Sequence, residues 1–293
     1  MKFVDLGYEI MTPQDYSFEE GKKFIERVAR TCYKSEEYIK EGSADKLYNN
    51  LVNSEHFAML EHYTVYLVMD SSANLLKYTH NKYNRSVLHD GKVYITTNLR
   101  VIIENDWMDV LEYAVNEPTK YHEKRYSVKF YANIGVSREY NRHRVNSMAE
   151  SSTRYCNYAK DKFGKELRVV CPSWHDKKWK SYSTLKHMCG LIVGDNESCF
   201  DAFDFWLFAM MSCEFSYMNL IRLGFTPDKA RGVLPLDTAT ELIHTAYADD
   251  WEHFFELRTS IIAKTGKPHQ QASEIADPLY LEFVENGFIN KLI

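Results

Sequence analysis

The residues from 142 to 155 form the densest polar cluster of the sequence. Three arginines, a histidine, a glutamate and several hydroxyl-bearing side chains fall within these 14 residues. A guanidinium group keeps its charge and grips a phosphate with a planar fork of donors, and hydroxyl groups and loop amides complete such a cradle. The cluster therefore predicts a site for a phosphorylated ligand. A solvated basic surface or a nucleic-acid patch would have a similar composition.

The charge of the whole chain helps to separate these alternatives. The 293 residues include 36 lysines and arginines against 41 aspartates and glutamates, which gives a net charge of −5. Proteins that live on nucleic acid usually have a basic balance or a basic face. We therefore expect the basic cluster to be local, and we predict no nucleic-acid partner.

The spacing within the cluster is more informative than its composition. It has the pattern R-H-R-x2-S-x2-E-x-S-x-R-Y. Further blocks are Ala29-Arg30 with Tyr33, His56 with Glu61-His62, Ala230-Arg231 with Leu234-Pro235 and Thr240, and Leu257-Arg258 with His269. In this order they resemble the flavin-dependent thymidylate synthases. The resemblance covers nearly the whole chain, and residues 70–125 look like an insertion relative to shorter members.

The resemblance implies an activity, its small molecules and an assembly. The activity is the methylation of dUMP to dTMP, with FAD as cofactor, methylenetetrahydrofolate as one-carbon donor and NADPH as reductant. Because the reduced flavin supplies the hydride in this family, no cysteine nucleophile is expected. The family forms homotetramers with active sites shared between subunits, and we expect the same here. No metal ion and no membrane partner is predicted.

The resemblance also implies roles for individual residues. Arg258 would lie beside the uracil ring and favour its ionised form, which makes it the predicted catalytic residue. The residues predicted to bind dUMP are Glu139, Arg142, Glu150, Ser152, Arg154, Arg231 and Arg258. Those predicted to bind FAD are His56, Glu61, Arg142, His143, Arg144, Glu150, His253 and His269. From the residues alone, a surface salt bridge would explain Arg258 and a structural role would explain a lone histidine.

Some positions depart from the family pattern. Asparagine and arginine are expected near residues 247–253, where this chain has Tyr247, Asp249 and His253. These departures concern the adenine and ribose of FAD, and they leave the arginines expected to hold dUMP in place. Two related activities stay open: methylation of another pyrimidine nucleotide such as dCMP, or transfer of a hydroxymethyl group.

The cysteines and the apolar pattern indicate a compartment. The six cysteines show no C-x-x-C spacing, and in so long a chain they are typical of reduced thiols. The N-terminal residues lack the apolar run of a signal peptide, and no stretch of about 18 apolar residues occurs. We expect a cytoplasmic protein.

Hydrophobic periodicity predicts an α+β fold. We expect a single domain, residues 1–293, with a central, mostly antiparallel sheet flanked by helices and an insertion that contains a hairpin turned by Asp90-Gly91. Helices are predicted over 17–33, 44–52, from 97 or 98 to 114, 135–143, 195–223, 227–234, 249–263 and 269–286. Strands are predicted over 63–69, 126–134, 167–171 and 238–247, and the segment around Cys156 is expected to be extended.

Overall fold

The computed structural model describes residues 1–71, 78, 80–175 and 201–291. The helices of this part of the chain are α1 (Phe18–Tyr33), α2 (Ser43–Asn53), α3 (Leu99–Glu104), α4 (Ile134–Tyr140), α5 (Ala202–Arg222), α6 (Pro227–Ala230), α7 (Ala248–Arg258) and α8 (Gln270–Glu285). The strands are β1 (Lys2–Val4), β2 (Gly7–Ile10), β3 (Thr64–Asp70), β4 (Arg85–His89), β5 (Lys92–Asn98), β6 (Ala114–Val115), β7 (Arg125–Asn133), β8 (Ser147–Glu150), β9 (Arg168–Val170) and β10 (Ala239–Tyr247). Short 3-10 helices lie at Glu36–Tyr38, Phe57–His62, Met108–Tyr113, Asp161–Phe163 and Arg231–Val233. Among the described helices, none has the length and apolar character needed to cross a membrane.

One four-stranded antiparallel sheet positions the site. Its strand order is β2-β7-β10-β8, and β7 and β10 pair along their whole length. Because alternate residues of a strand point to opposite faces, a single strand serves two cores. On β10, Leu242 packs among residues of α7 and α8, whereas the next residue, Ile243, packs in the core that contains α1. Helices therefore flank both faces of this sheet.

The polar cluster lies in the connection that leads back into this sheet. Strand β7 runs directly into α4, the turns after α4 contain Arg142 to Asn146, and β8 then pairs with β10. Asn133 caps α4, because its side chain accepts a hydrogen bond from the amide of Val136 at 2.8 Å. Helix α7 likewise follows β10 without a loop. Both α4 and α7 therefore begin at the last residue of a strand of the central pair, β7 and β10.

The predicted insertion builds a second antiparallel sheet. Its order is β4-β5-β3-β6, so three of its four strands come from residues 70–125. The predicted hairpin is confirmed between β4 and β5. Asp90 and Gly91 both have positive φ angles, 48° and 70°, as a two-residue turn of this kind requires.

The second sheet is fastened to the first at the junction of β10 and α7. Arg85 on β4 forms two hydrogen bonds with Asp249, Nη1 to Oδ2 at 3.0 Å and Nη2 to Oδ1 at 3.3 Å. The buried Tyr247 hydroxyl lies 2.9 Å from the carbonyl oxygen of Thr96 and 3.1 Å from that of Tyr83. Two of the positions that depart from the family pattern, Tyr247 and Asp249, therefore bind residues of the predicted insertion.

The predicted α+β class, with mostly antiparallel strands flanked by helices, is confirmed. The antiparallel strands are divided between the two sheets, and β1 and β9 form a short parallel pair. The predicted extended conformation around Cys156 is wrong, because this segment consists of turns.

Several helix boundaries also differ from the prediction. Helix α3 ends at Glu104 instead of near residue 114, since Asp106 adopts a φ of 57° that no helix continues. Helix α7 ends at Arg258, because the Ser260 amide donates to Oδ1 of Asp277 and the next two amides donate to the Thr259 hydroxyl, so the helical hydrogen bonds do not continue. Helix α5 begins at Ala202 behind an Asp201 capping box, and the earlier part predicted from residue 195 lies outside the described residues.

Candidate functional site

Arg258, at the end of α7, is the centre of a compact polar cluster. Its Nε donates to Nε2 of His143 at 3.1 Å, and its Nη1 donates to Oε2 of Glu139 at 2.7 Å. The Arg258 side chain is only 12% exposed. Arg142 joins the same cluster, with Nη1 4.0 Å from Oε1 of Glu139 and most of its side chain in solvent. A guanidinium that is held by two hydrogen-bond partners and is largely shielded from solvent is a fixed positive charge.

His143 is neutral in this arrangement. Burial lowers its pKa to about 3, and the neighbouring side chains of Arg258 and His253 act in the same direction. Because Nε2 accepts the proton donated by Arg258, the ring proton is assigned to Nδ1. A neutral imidazole in this position orients the guanidinium without competing with it for a negatively charged ligand.

His143 is one of three buried histidines, with His62 and His244, whose pKa is lowered from 6.5 to about 3 by burial. The unfolded chain binds protons at these rings below pH 6.5 and the folded chain does not, so the free energy of unfolding is highest above pH 6.5 and falls as the pH drops towards 3. We predict that each ring contributes up to about 1.4 kcal/mol per pH unit. Urea midpoints measured between about pH 7 and pH 5 test this.

A matched pair of variants isolates the effect. His143→Gln should flatten the pH dependence of the urea midpoint, whereas His269→Gln should leave it unchanged, since His269 is exposed. An identical slope for the wild type and for His143→Gln would contradict the assigned protonation state.

A second group of predicted residues follows β8. The Ser152 amide donates to the carbonyl oxygen of Cys32 at 2.9 Å, and the Ser152 hydroxyl accepts from the Arg154 amide at 3.3 Å. Arg231 reaches this loop through a 3.3 Å hydrogen bond from Nη1 to Oγ1 of Thr153. Both arginines are exposed, and neither forms an ion pair within the described residues. Two exposed guanidinium groups without an ion pair at one loop suit a phosphate.

Glu150 is held by a chain of hydrogen bonds that the sequence did not reveal. Its carboxylate accepts from Oγ1 of Thr240 at 3.1 Å and from Nδ2 of Asn141 at 2.8 Å. The other end of the Asn141 amide lies 3.3 Å from Nε2 of His244, whose Nδ1 lies 3.1 Å from Nδ2 of Asn146. Because His244 is neutral, each of these contacts has one consistent donor: Asn146 to His244, His244 to Asn141, and Asn141 to Glu150.

Glu61 lies in a third group, at the start of β3. Its carboxylate accepts from the Ser147 hydroxyl at 2.9 Å and from Nη1 of Arg100 at 3.1 Å. Arg125 is buried beside them and donates to the Ser147 hydroxyl at 2.7 Å and to the Glu61 carbonyl oxygen at 3.2 Å. Arg100 and Arg125 are functional candidates missed at the sequence level, because neither belongs to a recognisable spacing pattern.

Two clefts flank the Arg142-His143-Arg144 turn. The arginine cleft, of about 390 Å³, is lined by Arg142, His143, Arg144, His253, Leu257 and Arg258 among others. The insertion cleft, of about 340 Å³, lies between this turn and the insertion, and its polar lining is Glu61, Arg144, Asn98, Arg100, Glu104 and Asn146. Arg144 lines both clefts, so the turn separates two adjoining binding surfaces.

The remaining predicted residues, His56, His253 and His269, are exposed. His253 lines the arginine cleft, is 61% exposed and lies 3.8 Å from a carboxylate oxygen of Glu256. His56 and His269 are exposed and line neither cleft. Within the described part of the chain, no hydrogen bond or ion pair joins the Arg258 cluster to Arg154 or Arg231. The predicted dUMP residues thus form two separate groups in one subunit.

Comparisons with known proteins were made for the sequence and for the fold. The sequence model of the thymidylate synthase complementing protein family matches residues 110–284, more than half of the chain. No curated protein matches the sequence.

Similar solved structures include the UMP/dUMP methylase PolB from Streptomyces cacaoi with 5-Br dUMP, at 17% identity and a TM-score of 0.44, covering 99% of this chain and 93% of that one. The same protein with 5-Br UMP matches at 15% identity and a TM-score of 0.46, covering 99% and 92%. Thymidylate Synthase X from Helicobacter pylori with FAD and dUMP matches at 15% identity and a TM-score of 0.38, covering 94% and 92%.

Proposed function

Because the chain belongs to the thymidylate synthase complementing protein family, we propose that it methylates dUMP to dTMP with FAD as cofactor, methylenetetrahydrofolate as one-carbon donor and NADPH as reductant. The observation that carries this proposal is the Arg258 guanidinium, held by neutral His143 and by Glu139 on the wall of the arginine cleft. A fixed positive charge of this kind is what a uracil ring needs when negative charge develops on it.

The side chains present fit FAD. The diphosphate of FAD needs cationic donors, and Arg142 and Arg144 are exposed at the adjoining clefts, with only a 4.0 Å contact between Arg142 and Glu139. Asn146, 4% exposed, lines the insertion cleft, and its Oδ1 has no hydrogen-bond partner within the described residues. This Oδ1 can accept a hydrogen bond from an N–H group of a heterocycle.

The chain's own residues would bind and polarise the nucleotide. In the arginine cleft, Arg258 would donate to a uracil carbonyl oxygen and favour the ionised N3 position, while His143 keeps the guanidinium oriented. Arg154, Arg231 and the Ser152 loop would hold the phosphate. When bound, the reduced flavin supplies the hydride. Glu150, Glu61 and His253 are proposed to line the cofactor side of the site, together with the more distant His56 and His269.

The proposal includes a homotetramer with shared sites. Among the described residues of one subunit, no hydrogen bond or ion pair joins the Arg258 cluster to the Arg154–Arg231 group, although both are proposed to bind the same nucleotide. A symmetric assembly can place the Arg258 cluster of one copy opposite the arginine pair of another. This arrangement makes each site depend on two chains.

A turnover assay with purified protein tests the activity. We expect dTMP from dUMP only when FAD, methylenetetrahydrofolate and a reductant are all present. The same assay with dCMP, and mass analysis of the pyrimidine product, decides between methylation of dUMP and the two related activities left open by the sequence. A protein that takes up no FAD, or that methylates dCMP in preference to dUMP, would require another function.

We predict that no cysteine acts as the nucleophile, so Cys156→Ala should keep kcat for dTMP within a few-fold of wild type. The Cys156 thiol is 2% exposed and burial raises its pKa, while burial raises the pKa of the neighbouring Cys32 to about 12. Neither thiol is therefore ready to form a thiolate. The assay measures dTMP, and the folate product should lack the absorbance of dihydrofolate.

The binding controls for this variant decide how a loss of activity is interpreted. If Cys156→Ala folds and binds FAD and dUMP but forms no dTMP, the proposed hydride mechanism is wrong. Cys32→Ala serves as the companion variant, since Cys32 is also buried and its carbonyl oxygen lies 4.0 Å from Sγ of Cys156.

A further inference from the structure

The insertion occupies positions where the family pattern expects flavin-binding side chains. Asparagine and arginine are expected near residues 247–253, but here Tyr247 is buried against the insertion and Asp249 is bonded to Arg85. A buried hydroxyl and a carboxylate already bound to a guanidinium are poor partners for an anionic cofactor. Whatever binds this end of the cofactor must therefore come from elsewhere in the chain.

The same insertion brings new polar groups to an adjoining surface. Asn98, Arg100 and Glu104, from the end of β5 and from α3, form one wall of the insertion cleft, and Glu61 and Arg144 lie on the other wall. Hydrogen bonds from Arg85 to Asp249 and from Tyr247 to the carbonyl oxygens of Tyr83 and Thr96 join this segment to β10 and α7. They fix the position of the wall relative to the Arg142-His143-Arg144 turn. The cleft is thus a feature of this chain that its insertion creates.

Arg144 is the charged group of the insertion cleft that remains available to an anion. The cleft is lined by two arginines, Arg100 and Arg144, and by the carboxylates of Glu61 and Glu104, and Arg100 is bonded to both carboxylates. Arg144 is exposed and forms no ion pair with any described residue. A ligand with negative charge therefore has one unpaired guanidinium to bind in this cleft.

The Arg100 guanidinium has a nitrogen that is available to a ligand. Its Nε is bonded to Glu104 at 2.9 Å and its Nη1 to Glu61 at 3.1 Å, whereas its Nη2 forms no hydrogen bond within the described residues. The side chain is 38% exposed, so a ligand in the cleft can reach it. This Nη2 can donate to an anionic ligand while Nε and Nη1 keep their carboxylate partners.

We propose that the insertion supplies the wall that holds the adenosine diphosphate half of FAD, with Arg100 as a phosphate-binding residue. The inference rests on the proposed use of FAD. In this arrangement the insertion replaces, from another part of the chain, the side chains that the family pattern expects near 247–253. Arg144 binds the same diphosphate from the opposite wall, and the flavin ring extends from there towards the arginine cleft.

Binding measurements on Arg100→Gln test the proposal without relying on turnover. Dissociation constants for FAD, riboflavin and ADP are measured by fluorescence or calorimetry on the full chain. Losing one charge-assisted hydrogen bond should raise the dissociation constants of FAD and ADP about ten- to a hundredfold. The affinity for riboflavin, which lacks the diphosphate and the adenosine, should stay at the wild-type value.

Two further variants make the result specific. Arg100→Lys keeps the charge and should recover part of the FAD affinity. Arg27→Gln is the matched control, because Arg27 forms one exposed ion pair with Glu9 at 3.2 Å and lies outside the cleft. The FAD affinity of this variant should equal that of the wild type.

The outcomes separate this inference from the proposed function. If wild-type protein binds FAD and Arg100→Gln binds it equally tightly, the inference is overturned and the proposed function stands. If wild-type protein binds no FAD at all, the proposed function fails with it. An equal loss of affinity for riboflavin and FAD in Arg100→Gln would assign Arg100 to the flavin ring and also overturn the inference.

Discussion

Replacing Arg258 by alanine is expected to lower kcat for dTMP formation about 100- to 1000-fold, the usual cost of removing one positioned donor that stabilises developing charge. The Arg258 guanidinium is the charged group most firmly fixed at the arginine cleft, with Nε on His143 and Nη1 on Glu139. FAD content should stay near normal, since the proposed diphosphate ligands are Arg100, Arg142 and Arg144. Single-turnover measurements with bound FAD and saturating dUMP isolate the chemical step.

Arg258→Lys should recover little of this activity. An ammonium group carries the charge, but it cannot place two donors in the planar fork that spans the 3.1 Å and 2.7 Å contacts. Arg27→Ala provides the control for removal of a surface arginine and should leave kcat unchanged. An Arg258→Ala variant that keeps more than about a tenth of the wild-type kcat would remove Arg258 from the proposed catalytic role.

The sequence predicted the family and the position of its polar cluster because both depend on local spacing. The family prediction is confirmed by the match over residues 110–284, and with it an enzyme of the methyltransferase type. The strands β7 and β10 were predicted within a residue or two, since each is a long run of apolar and β-branched residues. The Asp90-Gly91 turn was predictable for the same reason, because its chemistry is contained in two adjacent residues.

What could not be predicted depends on side chains that meet across long stretches of sequence. Glu139 and Arg258 are 119 residues apart, and His244 and Asn146 are 98 apart, so no local pattern links them. The neutral state of His143 and His244 follows from burial, which only the packed structure defines.

The departures from the family pattern illustrate the same limit. From the sequence alone, Tyr247 and Asp249 were interpreted only as departures that weaken a cofactor site. In the structure they bind two residues of the predicted insertion, Thr96 and Arg85. These departures and the segment that contains Arg85 and Thr96 are thus two parts of one arrangement, although they lie far apart in the chain.

Shared active sites would also make two inactive variants restore each other. Arg258 and Arg231 belong to groups that no hydrogen bond or ion pair joins within the described part of one subunit, so Arg258→Ala and Arg231→Ala should damage different halves of each site. By contrast, Arg142 and Arg258 line the same cleft and meet at the same glutamate, Glu139. Variants of these two should damage the same half.

We therefore predict that co-expressed Arg258→Ala and Arg231→Ala chains recover up to about a quarter of the wild-type activity, because random assembly gives one site in four both of its intact halves. Co-expressed Arg258→Ala and Arg142→Ala chains should recover none, since every site then lacks one residue of the same cluster. The two variants carry different affinity tags, and mixed oligomers purified through both tags are assayed for dTMP. Mixed oligomers of Arg258→Ala and Arg231→Ala with no more activity than either variant alone would mean that each site is built within a single chain, which would leave the separation of the two groups in one subunit without a functional explanation.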